Sequence, residues 1–281
     1  MKKVIALSSW VATGHVGLSA GVPVLQALGH GVTQLPTVIL SNHPGFSHSS
    51  GAQVPPDQLG QMIEALDANG WLGMHDSLLT GYLPTTGHVD LACRLAERMR
   101  QHNPAIRIVT DPVLGDSHTG LYIAQWSAAA LRDRLAALAD TLTPNAFELG
   151  WLTGLPVGTI AQAVTAARRL MASGKATRIL VTSPPMAPGE TGVLEVTTDS
   201  AALYRHPMHA NVPQGTGDAF SAMIAAGIGV DQALGHLDTL VEASVGAPHL
   251  RIAETASSWT LAAPVGPSLL EEQVEAISHG L

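Results

Sequence analysis

The feature that most constrains this chain is an alternation. Short apolar runs recur, each followed by a polar, glycine-bearing loop and then an amphipathic stretch. Runs at 4–7, 32–40, 77–79, 106–110, 141–143 and 178–182 suit buried strands, because strands covered on both faces need no polar alternation. Helical spacing occupies 19–28, 56–66, 89–101, 128–138, 161–172, 231–245 and 268–278, and the run after Asp218 reads as a buried helix. Pro36 argues for an edge or a break in the second strand. Segments 192–196 and 201–204 read as an antiparallel pair at a sheet edge. Strand–helix alternation without a low-complexity linker, charge block or repeat predicts one α/β domain over residues 1–281. It is a three-layer αβα sandwich with a mostly parallel sheet and helices on both faces.

Composition narrows the partners. Of 281 residues, 46% are hydrophobic, 4% are aromatic, and the net charge is −8. That balance opposes a nucleic-acid surface, which needs cations and stacking rings. An anionic substrate must be held locally, by backbone amides, a metal or a few arginines. The lysines are Lys2, Lys3 and Lys175, so Schiff-base chemistry is not expected. A single cysteine, Cys93, excludes an internal disulfide and a multi-cysteine zinc site. It falls in a helical run and reads as core. The apolar start stops at Ser8-Ser9, too short for a signal sequence, and no run approaches a spanning helix. The expectation is a soluble, cytoplasmic protein without nucleic-acid or membrane partners.

Four loops follow strand-like runs: 8–17, 111–116, 143–148 and 211–218. Crossover rules place them on one edge of the sheet, where α/β folds bind ligands. The richest is Asn211-Val212-Pro213-Gln214-Gly215-Thr216-Gly217-Asp218. Gly215 and Gly217 permit turns and a close ligand approach. The following helix aims free N–H groups at that turn. Asp218 beside such an anion hole suits taking a proton from an attacking hydroxyl, or else it is a helix N-cap over a tight turn. Asp111, in Asp111-Pro112-Val113, lies just past a strand, as a ligand or as turn chemistry. Asn145 and Glu148 match a capping box, and Glu148 can alternatively hold a metal through water. The polar segment 41–53 reads as a flap that closes over a ligand, and the spacing of His43 and His48 is poor for a metal. There is no phosphate-binding Gly-x-x-x-x-Gly-Lys, no dinucleotide Gly-x-Gly-x-x-Gly after the first strand and no Gly-x-Ser-x-Gly elbow. Phosphoryl transfer remains open to such a set, since it needs a metal-bound triphosphate, charge stabilisation and a base.

Gly215-Thr216-Gly217-Asp218 resembles the signature of the ribokinase-like superfamily. Within it, the chain looks like the pyridoxal kinase family. The supporting matches are Ser9 with Gly14-His15-Val16-Gly17, Ser41-Asn42-His43, Thr80-Gly81-Tyr82-Leu83, Asp111-Pro112-Val113-Leu114-Gly115, and Thr143-Pro144-Asn145 with Glu148. They keep the family's order and spacing from residue 4 to about residue 225. The resemblance implies ATP-dependent phosphorylation of the 5′-hydroxymethyl group of pyridoxal, pyridoxine or pyridoxamine. Asp218 would be the base, with Gly215, Thr216 and Gly217 as the anion hole. Asp111, Thr143, Glu148 and Thr182 would line the nucleotide and metal site, with Asn211, Val212, Pro213 and Gln214 along the nucleotide. Ser9, His43, Tyr82 and the Pro44-Gly45 turn would lie near the pyridine ring. Ser9 as a loop cap and Tyr82 as half-buried packing are the plain alternatives. Mg²⁺ would bridge the phosphates, helped by Asp111 and Glu148. A monovalent-ion requirement stays open, and a homodimer is expected by analogy.

Three departures bear on specificity. Pro44 stands where relatives often carry threonine, which removes a hydroxyl and an N–H. Thr182 and Leu121 stand where some relatives carry lysine and cysteine. They leave substrate identity and nucleotide affinity open. A hydroxymethylpyrimidine kinase and a non-catalytic vitamer-binding protein of the same fold are the competing readings.

Overall fold

The computed structural model describes residues 1–268. Its strands and helices follow in chain order. The first half runs β1 (Lys3–Val11), α1 (Leu18–Ala27), β2 (Gly31–Leu40), β3 (Gly51–Gln53), α2 (Pro56–Ala68), β4 (Ser77–Thr80), α3 (Thr86–His102) and β5 (Arg107–Thr110). A small hairpin, β6 (Gly115–Asp116) and β7 (Gly120–Leu121), precedes α4 (Gln125–Ala130), β8 (Thr141–Leu142), α5 (Ala146–Thr153), α6 (Ile160–Met171) and β9 (Arg178–Thr182). The last part holds β10 (Glu190–Thr197), β11 (Ala201–Pro207), α7 (Thr216–Ala225), α8 (Val230–Ser244) and the short α9 (Ala256–Trp259).

The main sheet has the order β11-β10-β9-β8-β5-β4-β1-β2-β3. The six strands from β2 to β9 in that row are mutually parallel. The edges are antiparallel: β3 on β2, and the β10–β11 pair on β9. Alternation along each strand divides the core. Ile5, Leu7, Leu78, Ile108, Ile179 and Val181 point toward the layer of α2 to α6, while Val4, Ala6, Leu79, Val109 and Leu180 point toward α1, α7 and α8. Apolar residues on both faces explain the continuous runs in the sequence: neither face meets water. The architecture is the mostly parallel αβα sandwich that the alternation predicts.

Several boundaries differ from the sequence expectation. The first strand does not stop at residue 7. It continues through the serines to Val11, because an irregularity between Ser8 and Trp10 lets Trp10 and Val11 pair with Ile39 and Leu40. Pro36 does not break β2. It pairs with Ser8 of β1 just before the register of that ladder shifts, which is where a missing N–H is tolerated. The segment 41–53 is only partly loop, since 51–53 forms β3. Its remainder is tied internally: Asn42 Nδ2 donates to the carbonyls of His43 and His48, the Ser41 N–H donates to the Ser50 carbonyl, and the Ser50 N–H donates to Ser41 Oγ. The expected helix 128–138 begins at Gln125 and loosens into a wide π-type turn over Leu131–Leu135. The expected helix 268–278 falls outside the described residues, apart from Ser268, which bridges to Leu203. Cys93 is half-buried against the α2–α6 core, and burial pushes its thiol up to about 11. Among the described residues, no helix is long and apolar enough to cross a membrane.

Candidate active site

Parallel strands end on the same edge, so the loops after β1, β4, β5, β8 and β9 converge there. The segment before α7 joins them, because β11 runs in the same sense as β9. Among the described residues, three non-glycine residues have positive φ, and all sit in these loops: Val113 (42°), Ser183 (45°) and Asn211 (57°). A β-branched residue in that region is strained, and such strain persists where surrounding contacts over-determine the backbone.

The turn into α7 separates the roles of its two glycines. Gly215 is the N-cap, with φ 103°, and a Cβ there would lie 1.8 Å from the His15 carbonyl oxygen. Only glycine fits, and the turn is thereby held against the loop after β1. A Cβ on Gly217 would meet nothing within 4 Å, so open space lies beside it. Asp218 is not the N-cap. It is the third residue of α7, in the first turn where N–H groups lack intrahelical acceptors. Burial raises its carboxyl to about 6, against the opposing Gly17 backbone N–H.

Asp218 shares a small cavity with Asp111, Ser221 and Ser8. Asp111 follows β5, is buried, and its N–H donates to the Thr80 carbonyl at 2.8 Å. Burial, then the charges of Glu148 and Asp218, raise its carboxyl well above the usual carboxylate range. Its Oδ2 accepts from Ser221 Oγ at 2.9 Å, and Ser221 Oγ lies 2.8 Å from Thr143 Oγ1.

The capping box at α5 is present in full. Asn145 Oδ1 accepts from the Glu148 N–H at 2.9 Å, and Glu148 Oε2 accepts from the Asn145 N–H at 2.9 Å. Glu148 does more than cap. Its Oε1 takes the Leu114 N–H at 2.7 Å, and Asn145 Nδ2 donates to the Gly115 carbonyl at 2.9 Å. The loops after β5 and β8 are thus bound as one unit. Burial raises the Glu148 carboxyl to about 7, opposed by those backbone donors. Thr182, at the end of β9, donates its N–H to the Pro144 carbonyl at 2.9 Å and joins the same unit.

The remaining predicted residues divide. His43 lines a pocket of about 160 Å³ together with Phe46, His15, His249 and Val212 to Gln214. Residues expected near the ring and residues expected along the nucleotide therefore share one pocket. Pro44 and Gly45 are exposed at the tip, where the Gly45 N–H donates to His43 Nδ1. Asn211 is exposed, and its carbonyl accepts the Gly246 N–H at 3.0 Å. Ser9 lies against Gly17, whose Cβ would fall 2.2 Å from Ser9 Oγ. Tyr82 is half-buried against the α2–α6 core, and its N–H donates to Ser8 Oγ at 3.1 Å. Sequence reasoning missed Ser8, Ser221 and His249, and carried His15 only inside the Gly14-His15-Val16-Gly17 match, without a site role. Ser221 carried a signal in its spacing of three residues from Asp218 on a helix.

For a metal, the donor set is two acids. Among the described residues, no group of three or more His, Cys, Asp or Glu side chains is arranged to hold an ion. The oxygens of Asp111 and Glu148 suit a hard divalent cation. Both Glu148 oxygens already accept backbone N–H groups, so it fits such an ion through water, whereas Asp111 fits as a direct ligand.

A profile of the Phosphomethylpyrimidine kinase family matches residues 12–239. A pyridoxine/pyridoxal/pyridoxamine kinase of Bordetella avium is 39% identical over 226 residues, covering 79% of this chain and 76% of the relative. The chain belongs to the pyridoxal kinase family. A pyridoxal kinase of Leifsonia xyli is 34% identical over 227 residues, 80% of each chain. The family fold is equally clear in three dimensions. A pyridoxal kinase from Leishmania donovani, solved in complex with ADP and pyridoxamine, matches with a TM-score of 0.87 and 27% identity, over 96% of this chain and 100% of that one. The chain shares its ribokinase-like α/β fold with that kinase family, whose members are phosphotransferases.

Proposed function

We propose that this chain transfers the γ-phosphoryl group of ATP to the 5′-hydroxymethyl group of pyridoxal, pyridoxine or pyridoxamine, which yields pyridoxal 5′-phosphate or its analogues. The observation that carries the reaction type is Asp218. It stands in the first turn of α7, directly after Gly215 to Gly217, with a carboxyl raised to about 6. At neutral pH it is mostly ionised, and it takes the hydroxyl proton as the oxygen attacks phosphorus. The first-turn N–H groups and the open space beside Gly217 receive the charge that builds on the phosphoryl oxygens. Asp111, Thr143, Glu148, Thr182 and Asn211 to Gln214 serve the nucleotide, and Ser9, His43, Pro44, Gly45 and Tyr82 serve the ring, with the loop part of the expected flap 41–53, residues 41–50, closing over it.

The cation in this reading is Mg²⁺, held by Asp111 directly and by Glu148 through water. Bound there, it would neutralise phosphate charge. The reading extends to a single catalytic domain over residues 1–281, a homodimer and a cytoplasmic setting where ATP is available. The names of the relatives support pyridoxal chemistry. The name of the matched profile favours a second reading, a hydroxymethylpyrimidine kinase with the same base and anion hole.

ADP release from the purified chain with MgATP decides between them. Pyridoxal or pyridoxine should turn over, and Asp218→Ala should reduce the rate by about 10²- to 10⁴-fold while vitamer binding survives. Turnover of hydroxymethylpyrimidine alone would move the substrate assignment. Vitamer binding without turnover by the native chain would defeat the kinase reading.

A further inference from the structure

Ser221 lies one helical turn beyond Asp218 and is buried, with 1% of its surface exposed. Its hydroxyl has one proton and gives it to Asp111 Oδ2 at 2.9 Å. A hydroxyl that has donated its only proton can still accept. With Asp111 ionised, as a cation ligand must be, the 2.8 Å contact with Thr143 Oγ1 runs from Thr143 to Ser221. This fixes a relay from the end of β8, through α7, to the carboxyl at the end of β5. It also commits the Thr143 proton to Ser221, so the buried Thr143 hydroxyl has none left to offer a phosphate.

We propose that Ser221, with Thr143 behind it, is a positioning residue that orients the Asp111 carboxylate toward the cation and fixes its placement relative to Asp218. Because base and anchor are carried on the same helix, a shift of α7 moves both together. Asp111 is thereby held by the element that carries the proton acceptor as well as by its own strand. Thr143 acts through Ser221, which departs from its expected direct contact with the nucleotide. The inference rests on the kinase reading above, since it assigns a cation to Asp111.

Mn²⁺ binding in the presence of ADP tests it without turnover, with free Mn²⁺ read by electron paramagnetic resonance. Removing a hydrogen bond to a charged group should cost roughly tenfold or more in affinity, so Ser221→Ala should weaken Mn²⁺ binding by that factor. Thr143→Val leaves the Ser221–Asp111 bond in place and should weaken it by about threefold, with Thr143→Ser restoring it. In an Asp111→Asn background, Ser221→Ala should add less than about twofold, because the group it positions is gone. A folded Ser221→Ala variant that binds Mn²⁺ like the native chain overturns the inference. So does a full Ser221→Ala penalty that persists without the Asp111 carboxylate. If Ser221→Ala does not fold, an unchanged affinity in Thr143→Val overturns it. Failure of the native chain to bind Mn²⁺ with ADP would instead remove the kinase reading, and the inference with it.

Discussion

Asp218→Asn should make this protein more stable at pH 8 while disabling it. The native carboxyl is raised from 3.8 to about 6 because burial disfavours its charge, and the Gly17 N–H offsets this only in part. Between those values the folded chain binds a proton that the unfolded chain has released. Stability therefore falls as pH rises from about 4 through about 6, and the full cost is present above that range. At about 1.4 kcal/mol per pH unit, the ionised carboxylate costs the fold on the order of 3 kcal/mol. Asparagine keeps an oxygen for the Gly17 N–H and carries no charge. Thermal unfolding of native and variant chains at pH 5 and pH 8 measures the effect. For a chain of this size about 1 kcal/mol corresponds to about 2–4 °C, so the variant should gain several degrees at pH 8. The gain should shrink toward pH 5, where the native carboxyl is largely protonated. In the native enzyme, kcat/KM should rise with pH through about 6, and the variant should lack that limb. An equal gain at both pH values, or none at pH 8, would refute the claim that the fold holds a charge at its own expense for catalysis.

The two glycines before Asp218 should respond differently. Gly215→Ala places a methyl against the His15 carbonyl in a left-handed conformation, so it should lower stability by about 2 kcal/mol or more, read as a fall in melting temperature. Gly217→Ala meets no protein atom and should fold normally, with the loss appearing in nucleotide affinity by calorimetry. Asn145→Ala removes both a cap bond and the tie to Gly115, and should cost about 2 kcal/mol in thermal unfolding. Asn145→Asp keeps the cap and should recover about half of that loss.

The fold was largely legible because its signals are local. Apolar runs such as Val4 to Leu7 and Arg178 to Thr182 read as strands, since residues buried on both faces leave a continuous pattern. The Asn145–Glu148 capping box was equally readable, because both partners lie within one helical turn. Boundaries failed where pairing decided them. Trp10 and Val11 are strand only because Ile39 and Leu40 lie beside them, and Gly51 to Gln53 only because β2 offers its edge. The motif before α7 announced an acid behind two glycines, but not their division of labour. Gly215 is required by a carbonyl two hundred residues earlier in the chain, whereas a Cβ on Gly217 would point into open space.

By itself, the sequence determined the layered α/β plan, the family and the set of loops that gather at one edge. The plan and the loops follow from periodicity and short-range spacing, which a linear chain records directly, and the family follows from the resemblance of the loop motifs to known kinases. The tertiary structure alone decided how those loops are joined. Glu148 ties two of them through the N–H groups of Leu114 and Asn145, and Ser221 reaches Asp111, 110 residues earlier in the sequence, while also contacting Thr143. It also set the proton affinities of Asp111, Glu148 and Asp218, because burial and neighbouring charge depend on what the fold brings within reach, and no residue carries that information in its own identity.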